Sequence, residues 1–290
     1  MKRKVRVGSR DSKLAVIQAE MVMDSIKRFD HEMELELVTM KTTGDKILDQ
    51  TLDKIGGKGL FVKELEQALL DGRIDLCVHS FKDMQIEENS LLPIVALGKR
   101  EDARDVQIDS RCSKRNVERI GSSSARRAVQ LHEMNPSIPV EPIRGNVLTR
   151  LEKLDRGEFS SIVLAYAGIK RLGLEKRVSR IFSIEEIVPA ACQGILAVQG
   201  RKGENYDYLQ PFNQESSWFG SDAEREFVKT LDCGCHSPVG AYAEESGREL
   251  QLTGFYFNKE TGQIHRGVMV GSVSQARQLG EALARRCQRE

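Results

Sequence analysis

The segment Asp232-Cys233-Gly234-Cys235-His236-Ser237-Pro238-Val239-Gly240 puts two thiols and an imidazole in one loop. Gly234 permits a tight turn and Pro238 stiffens the exit, so a thiol is presented on a short projection. Such a thiol can fill a core, ligate a metal, form a disulfide or carry a covalent group. A structural zinc site needs four ligands, and the chain has no second Cys or His pair at suitable spacing. A core role suits Cys77, inside an apolar run, better than Cys235 in a Gly/Pro loop. A second candidate, Lys82-Asp83, follows the apolar run Ile74 to Val78. It reads either as a surface ion pair or as a carboxylate facing a cleft, kept ionised by nearby cations. In the cleft, such a carboxylate stabilises a developing cation or shuttles a proton.

Basic residues gather at turns. Gly121-Ser122-Ser123-Ser124-Ala125-Arg126-Arg127 sets hydroxyls, backbone N–H groups and two guanidinium groups at a predicted helix start. Positive charge there opposes the helix dipole, so local stability does not explain it, whereas an anionic ligand does. Arg144-Gly145-Asn146-Val147-Leu148-Thr149-Arg150 and Ser9-Arg10-Asp11-Ser12 repeat the arrangement. One such turn is commonly solvated or paired within the protein; three at equivalent places indicate a polyanion in a cleft. Gly56-Gly57-Lys58-Gly59-Leu60-Phe61 lacks the glycine spacing and the Ser or Thr of a nucleotide-binding loop, and reads as a glycine-rich cover over the cleft.

The elements that position these groups alternate. Strand Lys4 to Gly8 precedes a helix with Leu14, Ile17 and Met21 on one face. Strand Glu34 to Met40 has Leu35, Leu37 and Thr39 inward, a helix carries Phe61, Leu65, Ala68 and Leu69, and strand Ile74 to Val78 follows. A second alternating block runs from about Asp105 to Pro189, and the apolar strand Gly194 to Val198 returns to the first domain. Ser221 and Glu224 have capping-box spacing and predict a helix start ahead of the cysteine loop. Strands Leu250 to Phe257 and Gln263 to Gly271 and a terminal helix complete a small α+β unit. The fold class is α/β with two sheet domains flanking a cleft and a small C-terminal domain with an antiparallel sheet. The domain boundaries are 1–97 with 195–213, then 98–194, then 214–290.

The 290 residues carry a net charge of only +1 and a single tryptophan, which argues against a nucleic-acid-binding surface. No run approaches the roughly 18 apolar residues of a membrane span, and the basic start Met1 to Gly8 has no apolar signal region. The six cysteines are scattered, which suits a reducing cytoplasm. A cytoplasmic monomer with no membrane, nucleic-acid or metal partner is the expectation.

Several of these motifs, in order, resemble the porphobilinogen deaminase (hydroxymethylbilane synthase) family over essentially the whole length. They are Ser9 to Ala15, Gly56 to Glu64, Val78 to Asp83, Arg100 to Asp105, Ser122 to Arg127, Arg144 to Val147, Lys170 to Leu174, and the cysteine loop with its Glu224-Arg225 lead. Departures from the family pattern are Cys233 and Cys192 where glycines are usual, Met84-Gln85 for Val-Pro, and Lys13 where proline is common.

The resemblance implies two periplasmic-binding-protein-like lobes plus a cysteine-bearing domain. It implies a transferase of tetrapyrrole and haem biosynthesis that joins four porphobilinogen molecules head to tail, releases ammonia and yields linear hydroxymethylbilane. It further implies one dipyrromethane cofactor per chain, held by a thioether to Cys235, with Asp83 as the catalytic carboxylate. Cofactor contacts would be Lys82, Asp83, Ser123, Ser124, Arg126, Arg127 and Arg144; substrate contacts would be Arg10, Ser12, Arg150, Arg171, Lys58 and Phe61. A binding protein for an anionic solute, without catalysis, is the alternative. It predicts an export signal and no use for the loop cysteine.

Overall fold

The protein is described here by a computed structural model covering residues 4–46, 62–87, 89–112, 118–232 and 237–289. The first lobe contains β1 (Lys4–Arg10), α1 (Lys13–Phe29), β2 (Glu34–Met40), the single turn α2 (Thr43–Lys46), α3 (Lys63–Leu70), β3 (Leu76–Ser80) and β4 (Ile94–Leu97). The second contains β5 (Asp105–Asp109), β6 (Ile120–Gly121), α4 (Ala125–Met134), β7 (Val140–Glu141), α5 (Val147–Asp155), β8 (Ser161–Ala165), α6 (Tyr166–Arg171) and β9 (Arg180–Ile181). The chain then returns through β10 (Leu196–Gly200) and ends in α7 (Glu215–Thr230), β11 (Val239–Ser246), β12 (Glu249–Phe257), β13 (Ile264–Ser272) and α8 (Ala276–Arg289).

The two lobes share a plan. Sheet order is β2-β1-β3-β10-β4 in one and β7-β6-β8-β5-β9 in the other. Each has three parallel strands followed by one antiparallel strand. That antiparallel strand is the first strand after the chain crosses over: β5 enters the second sheet and β10 the first. Two crossings therefore join the lobes, and they bond to each other: Glu101 N–H donates to the Gly194 carbonyl at 3.1 Å, and Arg100 Nη1 donates to the Gln193 carbonyl at 3.3 Å. Gly194 has φ +91°, and a Cβ there would lie 2.3 Å from the Glu101 oxygen, so the contact requires glycine. The result is an α/β architecture of two lobes about a cleft, with a small C-terminal α+β domain.

Two local expectations are corrected. The buried face of α1 is Gln18, Ala19, Val22, Ser25 and Ile26, while Met21 is exposed and Leu14 faces the cleft. A count of apolar residues misses this stripe because it includes two polar side chains. Helix α7 begins at Glu215, not Ser221, so the capping box does not form. Ser221 is buried in mid-helix and donates to the Trp218 carbonyl, and Glu224 is fully buried for a tertiary reason. Its carboxylate accepts from Arg100 Nη2 at 2.7 Å, from Cys192 N–H at 2.6 Å and from Ala243 N–H at 2.7 Å. One side chain thus ties both crossings to the C-terminal sheet.

In the C-terminal domain α7 and α8 pack on the antiparallel sheet β11-β12-β13 around Phe227, Leu250, Leu252 and Leu283. The helices approach closely at Gly280, where a Cβ would meet the Ala223 carbonyl oxygen at 2.3 Å. Gly280→Ala is therefore expected to cost about 1–3 kcal/mol through overpacking. The thermal midpoint, followed by circular dichroism, should fall by several degrees; an unchanged midpoint would contradict the close approach.

Candidate active site

Strand β3 runs buried through the middle of the first sheet and ends in a 3₁₀ turn, Phe81–Asp83. Phe81 is buried beneath this turn, and the Arg225 guanidinium lies 4.7 Å from its ring centroid. Arg225 Nη2 also donates to the Gln85 and Ile86 carbonyls at 2.9 and 2.7 Å. Helix α7 thereby clasps the turn from below, and Lys82 and Asp83 are left on the cleft wall. Lys82 is half-buried and Asp83 exposed. Lys82 Nζ donates to Gln193 Oε1 at 3.2 Å. Burial, with Arg127 and Arg126 nearby, pulls the Lys82 pKa down to about 8 against the opposing pull of Asp83 and Asp105.

The second lobe supplies the facing wall. Asp105, at the start of β5, is fully buried, pairs with Arg126 Nη1 at 2.8 Å as an ion pair and accepts a hydrogen bond from Arg127 Nη2 at 2.7 Å. Burial pushes this carboxyl up, but the two guanidinium groups outweigh it and hold it well below the usual range. Arg127 also lines the cleft. Arg126 does not: its guanidinium is directed to Asp105 and to the Val188 carbonyl at 2.6 Å. The Ser123 and Ser124 hydroxyls also have protein partners. The Ser123 hydroxyl donates to the Ile143 carbonyl at 2.6 Å, and the Ser124 hydroxyl caps α4 by accepting from Arg127 N–H. Positive residues at this helix start are explained largely by Asp105, a partner that local sequence does not display.

The next turn behaves differently. Asn146 caps α5, accepting from Thr149 N–H at 3.0 Å, and Arg144 and Arg150 flank it in the cleft. Arg150 Nε donates to the Gly145 carbonyl at 2.8 Å, and Arg171 Nη2 to the Gly194 carbonyl at 2.6 Å. These acceptors are neutral, so the guanidinium groups are aimed without being neutralised. Burial first, with neighbouring arginines for Arg150, brings both pKa values down to about 10. Arg10 closes β1, and Ser12 caps α1 by accepting from Ala15 N–H; both line the same cavity.

The cleft holds about 490 Å³, in the range of small-molecule sites. Among the described lining residues seven are cationic (Arg10, Lys41, Lys82, Arg127, Arg144, Arg150, Arg171) and two acidic (Asp11, Asp83). This surplus suits a ligand with several carboxylates. A dipyrromethane, which carries four carboxylates on two pyrroles, fits such a lining. Lys41, Asp105 and Gln193 were missed by sequence reasoning, although Asp105 closes the motif that begins at Arg100. Cys235, Lys58 and Phe61 lie outside the described residues. On either side of the cysteine segment, Val228 and Val239 line a small recess with Phe81, Lys82, Cys192 and Arg225, beneath the Asp83 turn. Among the described residues no group of three or more His, Cys, Asp or Glu side chains could hold a metal.

Asp105→Asn would leave two buried guanidinium groups facing a neutral amide and is expected to cost about 3–5 kcal/mol. Because the folded carboxyl has the lower pKa, the wild-type advantage is complete above about pH 4 and shrinks as the pH falls below it. Urea unfolding of both proteins at pH 7 and pH 3 checks this; equal stability at pH 7 would contradict it.

Comparison with known proteins bears on the same residues. The family model described as "Porphobilinogen deaminase, dipyromethane cofactor binding domain" matches residues 5–207, and "Porphobilinogen deaminase, C-terminal domain" matches 218–288. The porphobilinogen deaminase of Acetivibrio thermocellus is 57% identical over 284 residues, covering 97% of each chain. That of Alkaliphilus metalliredigens is 41% identical over 286 residues, covering 96% of this chain and 90% of its own. Among solved structures, the second substrate binding domain of a putative amino acid ABC transporter from Streptococcus pneumoniae covers 73% of this chain and 90% of its own, at 11% identity and a TM-score of 0.44. With both family models matched in order and close relatives spanning nearly its full length, the chain belongs to the porphobilinogen deaminase family.

Proposed function

We propose that this protein is a hydroxymethylbilane synthase in which the cleft between the lobes condenses four porphobilinogen molecules head to tail, with Asp83 as its catalytic carboxylate. The observation that carries the reading is an exposed carboxylate, Asp83, at a strand end in a cation-rich lining, three of whose charges, on Lys82, Arg150 and Arg171, are held by neutral acceptors. A simple anion-binding protein gains nothing from Asp83 there, since a carboxylate repels its ligand.

Each residue then has work that follows from its chemistry. Arg10, Arg127, Arg144, Arg150 and Arg171 would bind acetate and propionate groups, with Ser12 beside them at the first-lobe wall. Asp83 accepts pyrrole N–H groups and stabilises the positive charge that develops on the substrate as ammonia leaves. Lys82, protonated below about pH 8, sets a further carboxylate-binding charge next to Asp83. Ser123, Ser124 and Arg126 build the wall that presents Arg127 and would contact the cofactor from it. Cys235 would hold the dipyrromethane by a thioether, and the cleft arginines would hold its side chains. When bound, that cofactor supplies the pyrrole carbon from which the chain is extended. The family description of residues 5–207 as a cofactor-binding domain supports placing these contacts in the two lobes.

The division into 1–97 with 195–213, 98–194 and 214–290 belongs to the same proposal, as do a cytoplasmic location, a monomeric state and the lack of nucleic-acid or membrane partners. The net charge of +1 supports the last, and among the described residues no helix is long and apolar enough to cross a membrane.

Asp83→Asn keeps the shape and removes the charge. Bilane formation from porphobilinogen should fall by about 100-fold or more while circular dichroism is unchanged. Near-normal turnover would refute the role of Asp83.

A further inference from the structure

Gln193 is fully buried on the returning crossing, between two residues of positive φ, Cys192 at 62° and Gly194 at 91°. Its backbone N–H donates to the Ala190 carbonyl at 3.0 Å, so its position is set before its side chain is considered. The amide then reaches both lobes. Nε2 donates to the Ala103 carbonyl at 2.6 Å and to Asp105 Oδ1 at 2.9 Å, while Oε1 accepts from Lys82 Nζ at 3.2 Å.

This set of partners fixes the amide orientation. A flip would bring NH₂ against the Lys82 ammonium and the carbonyl oxygen against the Asp105 carboxylate, two repulsive contacts in a buried place. It also explains the residue type. A carboxylate at this position would neutralise Lys82 and repel Asp105, and an apolar side chain would satisfy neither. A neutral amide holds a cation on one side and an anion on the other while leaving the cation's charge available to a ligand.

We propose that Gln193 is a positioning residue of the reaction: it holds the Lys82 ammonium beside Asp83 and keeps it in register with the Asp105–Arg127 pair across the crossings between the lobes. The inference rests on the assignment of Lys82 and Asp83 to the active centre. The charged groups facing Lys82 are Asp83 from its own turn, Asp105 from β5, and Arg126 and Arg127 from α4. Gln193 supplies the neutral acceptor among them. Removing that acceptor loosens the proton on Lys82, and replacing it by a carboxylate tightens it.

The test uses the full-length holoenzyme with Gln193→Met, Gln193→Asn and Gln193→Glu. Trace acylation with acetic anhydride across a pH series, read by mass spectrometry of the Lys82 peptide, gives the titration midpoint of that amine directly. Steady-state kinetics on porphobilinogen give kcat and KM in parallel. The expected result is a midpoint displaced downward from about 8 in the Met and Asn variants and upward in the Glu variant. KM should rise about ten-fold in the Met variant, the scale of one hydrogen bond to a charged group. A midpoint unmoved in all variants, or moved in the same direction by Met and Glu while circular dichroism matches the wild type, would overturn the proposal. Opposite midpoint shifts with unchanged kinetics would uphold the Gln193–Lys82 contact and instead overturn the place given to Lys82 in the active centre. The Asn variant retains the amide and shortens its reach, so the test stands even if the Glu protein does not fold.

Discussion

Positive charge that is held in place but not neutralised is the constraint on which this structure turns. A buried guanidinium or ammonium with no counter-charge is unfavourable by several kcal/mol, and proteins usually relieve it with a carboxylate. Arg126 and Arg127 follow that rule at Asp105. Lys82, Arg150 and Arg171 donate instead to an amide oxygen and two backbone carbonyls, with carboxylates acting on them only through space, and burial lowers their pKa values. The stability for this arrangement comes from elsewhere, chiefly the apolar layers against each sheet and the core around Phe227 and Leu283. A ligand with several carboxylates supplies the missing counter-charge, so binding and electrostatic relief are the same event.

The strand exchange between lobes puts this charge where it is useful. Because β5 and β10 are each delivered by a crossing, the residues on the crossings lie at the base of the cleft, next to both walls. Glu224 and Arg225, adjacent in α7, divide the task of fastening the third domain. Glu224 bonds the crossings through Arg100 and Cys192, and Arg225 grips the turn that bears Asp83. The helix that leads to the cysteine segment is therefore fastened, through two adjacent residues, to both the crossings and the turn that bears Asp83.

Much of this could be read from residue order. The strand that returns to the first sheet and the cleft-facing turns that bear Arg10, Arg127, Arg144 and Arg150 follow from local pattern, whereas Lys82, Asp83 and Arg171 are assigned to the site only by the family resemblance. What escaped was set by tertiary contact. Glu224 imitates a capping residue because Ser221 precedes it by three, but its partners are 19, 32 and 124 residues distant in sequence. The Asp105 partner of Arg126, 21 positions away, is likewise invisible in the local pattern. Gln193 carries no local signal at all, although Cys192 at a position of φ 62° marks the turn as one that favours glycine.

The central claim is that the cation-rich cleft serves a polycarboxylate anchored through the loop thiol. Peptide mass spectrometry of the protein purified from cells able to make porphobilinogen tests it most directly, since it distinguishes Cys235 from Cys233. The account predicts the mass of a dipyrromethane on Cys235 and none on Cys233. Fully active enzyme with an unmodified Cys235 would contradict it.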